Sequence, residues 1–299
     1  MSDTGAAVPA LDLWPAFRAF WSAHAGLPAG EQVAAWLQTL GRVCPEVHQR
    51  YAASMATDGV DWGEDLLQHH WPSLSRHLPR MAQTHDRLLT LFDPVARRAC
   101  EALGTDLRPV LVIVPVGYGG WATTYQGQPA CDLGLDTIVE LGWDEPETLE
   151  GLIAHELGHL AHYRWRGDNL VYRARGPLWD LYDEGFAQVC ERLVRGAEVY
   201  SVARHQPRWL QWGREHRAAL AREFLARAAA GQPLHGFFGS YPELSIEGYR
   251  EMGHFLGQEV VGAWVEQEGL HAVAVMPEDD ATRRVRQTLE GFARDGSAP

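Results

Sequence analysis

His155 and His159 stand four positions apart in the run Gly151-Leu-Ile-Ala-His-Glu-Leu-Gly-His-Leu-Ala-His-Tyr-Arg-Trp165. In an α-helix that spacing puts both imidazoles on one face, one turn from each other, where they can share a single ion. A helix is expected here on separate grounds. Asp144-Glu-Pro-Glu147 supplies an N-cap, early acidic residues suited to the helix dipole and a proline in the first turn, so the helix should start near 145 and run to about Trp165. Leu149, Leu152, Ile153 and Leu160 form its core-facing set. Gly158 costs a helix interior roughly 1 kcal/mol relative to Ala, which predicts that another backbone or a ligand packs close to it. The plain alternative is an amphipathic helix in a His-rich chain.

Glu156 follows the first histidine, completing a His-Glu-x-x-His arrangement in which the two imidazoles bind Zn²⁺ and the glutamate acts as general base on a water. Borderline-soft imidazole suits zinc, which brings no redox side chemistry. A catalytic zinc needs a third protein ligand, and Glu184 is the candidate. It lies in Gly176-Pro-Leu-Trp-Asp-Leu-Tyr-Asp-Glu-Gly-Phe-Ala-Gln-Val-Cys-Glu191, a second predicted helix, among apolar neighbours where an acid is costly to bury unless paired or metal-bound. Asp183, Glu191 and His162 are fallback ligands. Asp180, one turn before Glu184, could accept a hydrogen bond from the outer nitrogen of a ligating histidine.

His155-Glu-Leu-Gly-His159 followed by Asp183-Glu-Gly-Phe-Ala187 resembles the gluzincin-type zincin metallopeptidases, closest to bacterial predicted zinc-dependent proteases. The resemblance covers about residues 106–265. It implies His155, His159 and Glu184 as zinc ligands and Glu156 as catalytic base. It also implies an α+β, mostly helical zincin-like fold with a small twisted sheet beside the active-site helix. The 24 residues between His159 and Glu184 are more than thermolysin-like and aminopeptidase members usually show, and the Gly-Ala-Met-Glu-Asn segment of the aminopeptidases is absent. The metzincin pattern fails, because His162 and Trp165 stand where it needs a glycine and a histidine.

Zincins add a hydrogen-bond donor to the developing oxyanion, and Tyr249 is the expected donor. Ser240-x-x-Glu243 reads as a capping box opening a helix that would carry Tyr249, Gly253 and Gly257 on one stripe, where the glycines permit close approach. His254 and His235 are the alternatives. A peptide substrate would add to a sheet edge drawn from Ala130 to Leu141.

The rest of the chain sets the frame. Helical periodicity runs from about 10 to 104, with Leu13, Phe17, Phe20 and Trp21 on one face and Val33, Trp36, Leu37 and Leu40 on another, followed by Leu88, Leu89, Leu91 and Phe92, and with Pro28, Pro45, Pro72 and Pro94 as punctuation. Pro109-Val-Leu-Val-Ile-Val-Pro115 then reads as a buried strand. Trp121–Tyr125 and Ala130–Leu135 flank a hairpin turn at Gln126-Gly-Gln-Pro129, and Thr137–Leu141 continues in extended style. The expected division is a helical N-terminal region over 1–105 and a catalytic domain over 106–299. A net charge of −13 without a basic stripe argues against nucleic acid and anionic membrane as partners, leaving a peptide or protein substrate. No lysine occurs among the 26 basic residues, which excludes Schiff-base and P-loop chemistry. Four scattered cysteines read as reduced thiols, and with no signal peptide or apolar span the expectation is a soluble, cytoplasmic protein. Two other readings remain: a zincin protease dedicated to one regulatory substrate, and a non-catalytic, zinc-stabilised binding protein.

Overall fold

The computed structural model describes residues 9–57, 59–167, 175–239 and 244–295. The fold is α+β and mostly helical, with one small mixed sheet. The chain packs as two compact units. The first takes the described residues of Met1–Pro94 and Arg108–Leu149, the second those of Val95–Leu107, Glu150–Asn169 and Arg173–Pro299. Among the described residues no helix is long and apolar enough to cross a membrane.

In the first unit, β1 (Ala10–Asp12) is followed by α1 (Trp14–His24), α2 (Ala29–Val43), α3 (Pro45–Thr57) and α4 (Trp62–Asp65), then a π-helical turn at Leu66–His70 leading into α5 (Trp71–Leu103), whose residues from Val95 on are counted with the second unit. The predicted apolar stripes are the buried ones: Leu13, Phe17, Phe20, Val33, Trp36 and Leu40 all lie inside, and the Phe17 ring meets Trp36 edge-on at 4.9 Å. Pro79 and Pro94 sit within α5 and do not end it, contrary to the reading of Pro94 as punctuation. Each interior proline costs a helix roughly 3 kcal/mol. The buried series Leu74, Met81, Leu88, Phe92, Val95 and Ala99 along α5 outweighs that cost.

The sheet has the order β1-β2-β4-β3, with β2 (Val110–Val114), β3 (Trp121–Tyr125) and β4 (Gln128–Gly134). β2 is buried throughout and pairs parallel with both β1 and β4, as an unbroken apolar β-branched run should. β3 and β4 form the predicted hairpin, closed by Gln126 and Gly127 at φ 50° and 74°, the left-handed pair of a type I′-like turn. Three expectations fail here. β1 went unpredicted because three residues are too few to show a period of two. Thr137–Leu141 is not extended: Leu135–Glu140 is α6, because β4 ends at Gly134 and Asp136 turns back to accept the Gly117 N–H at 2.9 Å. The segment Ala130–Leu141 also offers no free edge, since β4 is paired on both sides.

Three charged networks brace this unit. Asp132 on β4 is fully buried and receives Arg50 Nη2 at 2.6 Å and the Tyr51 hydroxyl at 3.1 Å. Burial still pushes its carboxyl up to about 6, against Arg50 and Tyr51. His70 on the π-turn bonds Asp136 through Nδ1 and faces Asp65 Oδ2 at 3.4 Å through Nε2. Arg80 grips Asp144 with two bonds, at 3.0 and 2.5 Å.

The second unit is built on α7 (Pro146–Arg166) from Glu150 on, a helix whose bounds match the expected one, and on α8 (Pro177–Arg195), α9 (Trp209–Ala230), α10 (Met252–Glu268), α11 (Leu270–Ala274) and α12 (Glu278–Asp295). Glycines set its closest helix contacts. A Cβ at Gly158 would lie 2.6 Å from Cys190 Cβ and 3.2 Å from Ala187 Cα, so α8 supplies the close backbone that Gly158 predicted. A Cβ at Gly257 would lie 2.3 Å from the Leu181 carbonyl oxygen and 2.7 Å from Gly185 Cα, so α8 and α10 touch backbone to backbone. Gly257 thus does what the stripe argument asked of it, but the helix carrying it starts at Met252, not near 240. Ser240 and Glu243, the expected capping box, lie outside the described residues. None of the four cysteines is in a disulfide.

Candidate metal centre

α7 and α8 bring His155, His159 and the half-buried Glu184 together, as the spacing and the acid among apolar neighbours predicted. His155 Nε2 lies 3.1 Å from Glu184 Oε2 and 3.2 Å from His159 Nε2, and His159 Nε2 lies 3.4 Å from Glu184 Oε2. Among the described residues these three form the one group of three or more metal-ligating side chains whose donor atoms lie within 4.8 Å of one another. The fit to an ion can be tested on those distances. Tetrahedral bonds of about 2.0–2.1 Å place neighbouring ligand atoms about 3.3 Å apart, and all three edges fall close to that. The donor set, two imidazoles and one carboxylate oxygen, is one that zinc takes. The residues therefore fit a divalent ion of zinc's size and preference.

Glu156 sits between the two histidines on α7 and is buried, 6% exposed. His254, at the start of α10, places Nε2 3.0 Å from Glu184 Oε2, while its Nδ1 lies 3.0 Å from Glu251 Oε2. Glu251 is buried and has φ 59°, a left-handed conformation that a non-glycine residue holds only at a cost of order 1–3 kcal/mol. The chain bears that strain where Glu251 sets His254 beside the cluster.

The layer behind the ligands differs from expectation. Asp180 is exposed, and the carboxylate nearest the outer nitrogen of a ligand histidine is Asp183, with Oδ1 3.5 Å from His159 Nδ1. A ring that aims Nε2 at the cluster turns Nδ1 toward the residue beside Glu184, not toward the one a full turn earlier. Asp183 also accepts from His162 Nδ1 at 2.7 Å and from the Tyr163 hydroxyl. His162, named as a fallback ligand, is not brought into the cluster. It is fully buried, stacked on Phe186 at 4.4 Å, and acts through Asp183. Glu191 is also fully buried and accepts the Ser201 N–H at 2.6 Å. A Cβ at Gly151 would come within 2.3 Å of its Oε1.

The protonation of the cluster follows from this crowding. Burial pushes His155 down to about 4. Burial also opposes charge on His159, but Glu184 and Asp183 override it and raise that imidazole well above its ordinary value. Glu184 is held well below the usual carboxylate range, its desolvation overcome by His159 and His254. One carboxylate surrounded by three imidazoles stays ionised and keeps its lone pairs available as a ligand.

Tyr249 is not brought to this cluster. Ile246 and Tyr249 close a tight turn with reciprocal backbone bonds of 2.7 and 2.9 Å over Glu247 and Gly248, both at positive φ. The Tyr249 hydroxyl then donates to the Pro207 carbonyl oxygen at 3.1 Å and its ring stacks on Trp212 at 4.4 Å. The helical stripe that would have aimed it at the site does not exist. Reasoning from sequence missed Gln188, Glu251 and the bridging place of Asp183. A signal existed for Gln188, which lies one turn after Glu184 on the same helix face. Glu251 carried none, because its role depends on a backbone turn.

No protein-family model matches the chain, and neither a curated protein nor a solved structure matches it significantly. The site therefore has to be read from its own chemistry.

Proposed function

We propose that the protein is a zinc-dependent metallopeptidase of gluzincin type, with a zincin-like arrangement of the ligand helices, acting on a peptide or protein substrate. The observation that carries the reading is the convergence of His155 Nε2, His159 Nε2 and Glu184 Oε2, with Glu156 buried on α7 directly after His155. These three residues would hold Zn²⁺, which when bound supplies Lewis acidity, polarising a carbonyl and lowering the pKa of water toward about 7. Glu156 is the general base: its carboxylate takes a proton from the attacking water and returns it to the leaving amine nitrogen. Asp183 faces His159 Nδ1 from behind the ring at 3.5 Å and would orient the imidazole in the loaded site. The donor role expected of Tyr249 passes to His254, whose imidazole stands beside Glu184 and is held by Glu251. In this reading the His254 N–H that faces Glu184 Oε2 at 3.0 Å would turn to the negative charge developing on the substrate carbonyl oxygen.

The test is elemental analysis on protein purified without chelators or added zinc, joined to a peptide-hydrolysis assay. About one zinc per chain in the wild type, lost in Glu184→Ala and in His159→Ala, is the expected result. Glu156→Gln should keep the metal and lose turnover by about 10²–10⁴-fold. Full activity in Glu156→Gln, or absence of metal from the wild type, overturns the reading.

A further inference from the structure

We infer that Gln188 is the positioning residue for His155: its side-chain oxygen accepts the Nδ1 proton and fixes the ring with Nε2 aimed at the ion. The inference rests on the metal-binding reading above. Gln188 lies on α8 one turn after Glu184, so its side chain shares the face that Glu184 presents to α7. It is fully buried, and its amide nitrogen lies 3.3 Å from His155 Nδ1. Its Oε1 is buried with no hydrogen-bond partner. An acceptor buried unpaired is costly, and such an atom beside a candidate site calls for an explanation.

The explanation lies in what an amide can do. A neutral imidazole carries one proton on one of its two nitrogens. With the nitrogen of Gln188 facing the ring, Nδ1 is the acceptor, and the ring proton sits on Nε2, where it meets Glu184 Oε2 at 3.1 Å. An ion on Nε2 requires the opposite tautomer, in which Nδ1 bears the proton and needs an acceptor. Half a turn about the last side-chain bond brings Oε1 to that place, because amide oxygen and nitrogen have nearly the same size. Gln188 can therefore serve the ring in both states, which neither a carboxylate nor a hydrocarbon side chain can do.

Neither nearby carboxylate takes the part instead. Glu191 Oε2 is 3.9 Å from His155 Nδ1, beyond hydrogen-bond reach, and that carboxylate is turned to Ser201. Asp183 faces His159 and His162. The two ligand histidines are thus backed unequally, His159 by a carboxylate and His155 by a neutral amide. A carboxylate partner makes an imidazole the more basic ligand, so His159 is the stronger donor of the pair.

The test is a zinc titration against a competing chelator, on wild type, Gln188→Leu and Gln188→Glu, with thermal unfolding of the metal-free proteins alongside. Gln188→Leu keeps the volume but offers no acceptor, and should weaken zinc binding by about 10–100-fold while the metal-free protein unfolds no earlier than wild type. Gln188→Glu restores an acceptor and should bind zinc at least as tightly as wild type. In the zinc-loaded wild type, nitrogen NMR of the imidazoles should show the His155 proton on Nδ1. If Gln188→Leu does not fold, Gln188→Met replaces it. Wild-type affinity in the apolar variant, or a loss in Gln188→Glu as large as in Gln188→Leu, overturns the role of Gln188 and leaves the metal site standing. A wild type that takes up no zinc overturns the metal reading itself.

Discussion

Asp132 in the first unit and Glu184 in the second are both acids set among packed side chains, yet they are served in opposite ways. Asp132 has one guanidinium and one hydroxyl, each on its own oxygen at 2.6 and 3.1 Å. Glu184 has three imidazole nitrogens, at 3.0, 3.1 and 3.4 Å, all crowded on Oε2. The first pattern is a completed ion pair in which each donor has its own acceptor. The second gathers three nitrogens around one oxygen, with a further carboxylate, Glu156, buried on α7 directly after His155. The contrast separates a charge whose partners each have their own oxygen from one on which several partners converge. Histidine content alone does not make the distinction, since both units contain buried histidines.

The largest effect that could break this comparison is expected at Arg50. Arg50→Met leaves Asp132 fully buried without its cation and should lower the stability of the chain by about 3–5 kcal/mol in urea unfolding. Adding Asp132→Asn should recover part of that loss, and a cost below about 1 kcal/mol for Arg50→Met would show that the pair does not brace the sheet.

The next effect is a dependence on pH from His70. Burial opposes its charge, but Asp136 and Asp65 override that and raise its pKa from 6.5 to about 10. A pKa raised in the folded state stabilises fully below the unfolded value and loses that contribution as pH rises through the folded one. Stability should therefore fall between about pH 6.5 and 10, by an amount on the order of 2–5 kcal/mol. His70→Phe should flatten that part of the stability curve, and an unchanged slope would remove His70 from the account.

Smaller effects sharpen the second unit. Gly185→Ala would set a Cβ 2.3 Å from the Gly257 carbonyl carbon, and backbone cannot yield as a flexible side chain does. It should cost about 1–3 kcal/mol and weaken zinc uptake, because Glu184 is the adjoining residue. Arg164→Ala gives the floor of the scale. Its partner Asp106 is 80% exposed and 2.8 Å away, so thermal unfolding should register a loss of about 0.2–1 kcal/mol or none.

Most of the site's first layer was legible because its signals are local. The four-residue spacing of His155 and His159, the acid-and-proline opening at 144–147 and the cost of Gly158 in a helix are all properties of neighbouring residues, and α7 runs from Pro146 to Arg166 accordingly. Glu184 was legible as an acid amid apolar residues. What stayed hidden depends on partners distant in sequence or on unusual backbone. Asp183 looked like a fallback ligand, and only the docking of α8 shows it bridging His159, His162 and Tyr163. Tyr249 failed as a site residue because Glu247, Gly248 and Glu251 all adopt positive φ, which three consecutive helical turns of periodicity cannot announce. In the first unit, Thr137, Ile138 and Val139 carry strand propensity but follow the end of β4, and position overrode composition.

The contact of Gly158 with Cys190 also bears on how the centre could be watched in solution. Cys190 is fully buried, and burial pushes its thiol pKa far above the ordinary value, so neither thiolate nor access is available to an alkylating reagent while α7 and α8 stay closed. Labelling at Cys190 then requires the two helices to part, and parting them also separates His155 and His159 from Glu184. The half-buried Cys100 gives an internal reference for reagent access. The rate at which Cys190 reacts, compared with Cys100, is a clock for the opening of the ligand helices, wound by a glycine that leaves no room for anything else.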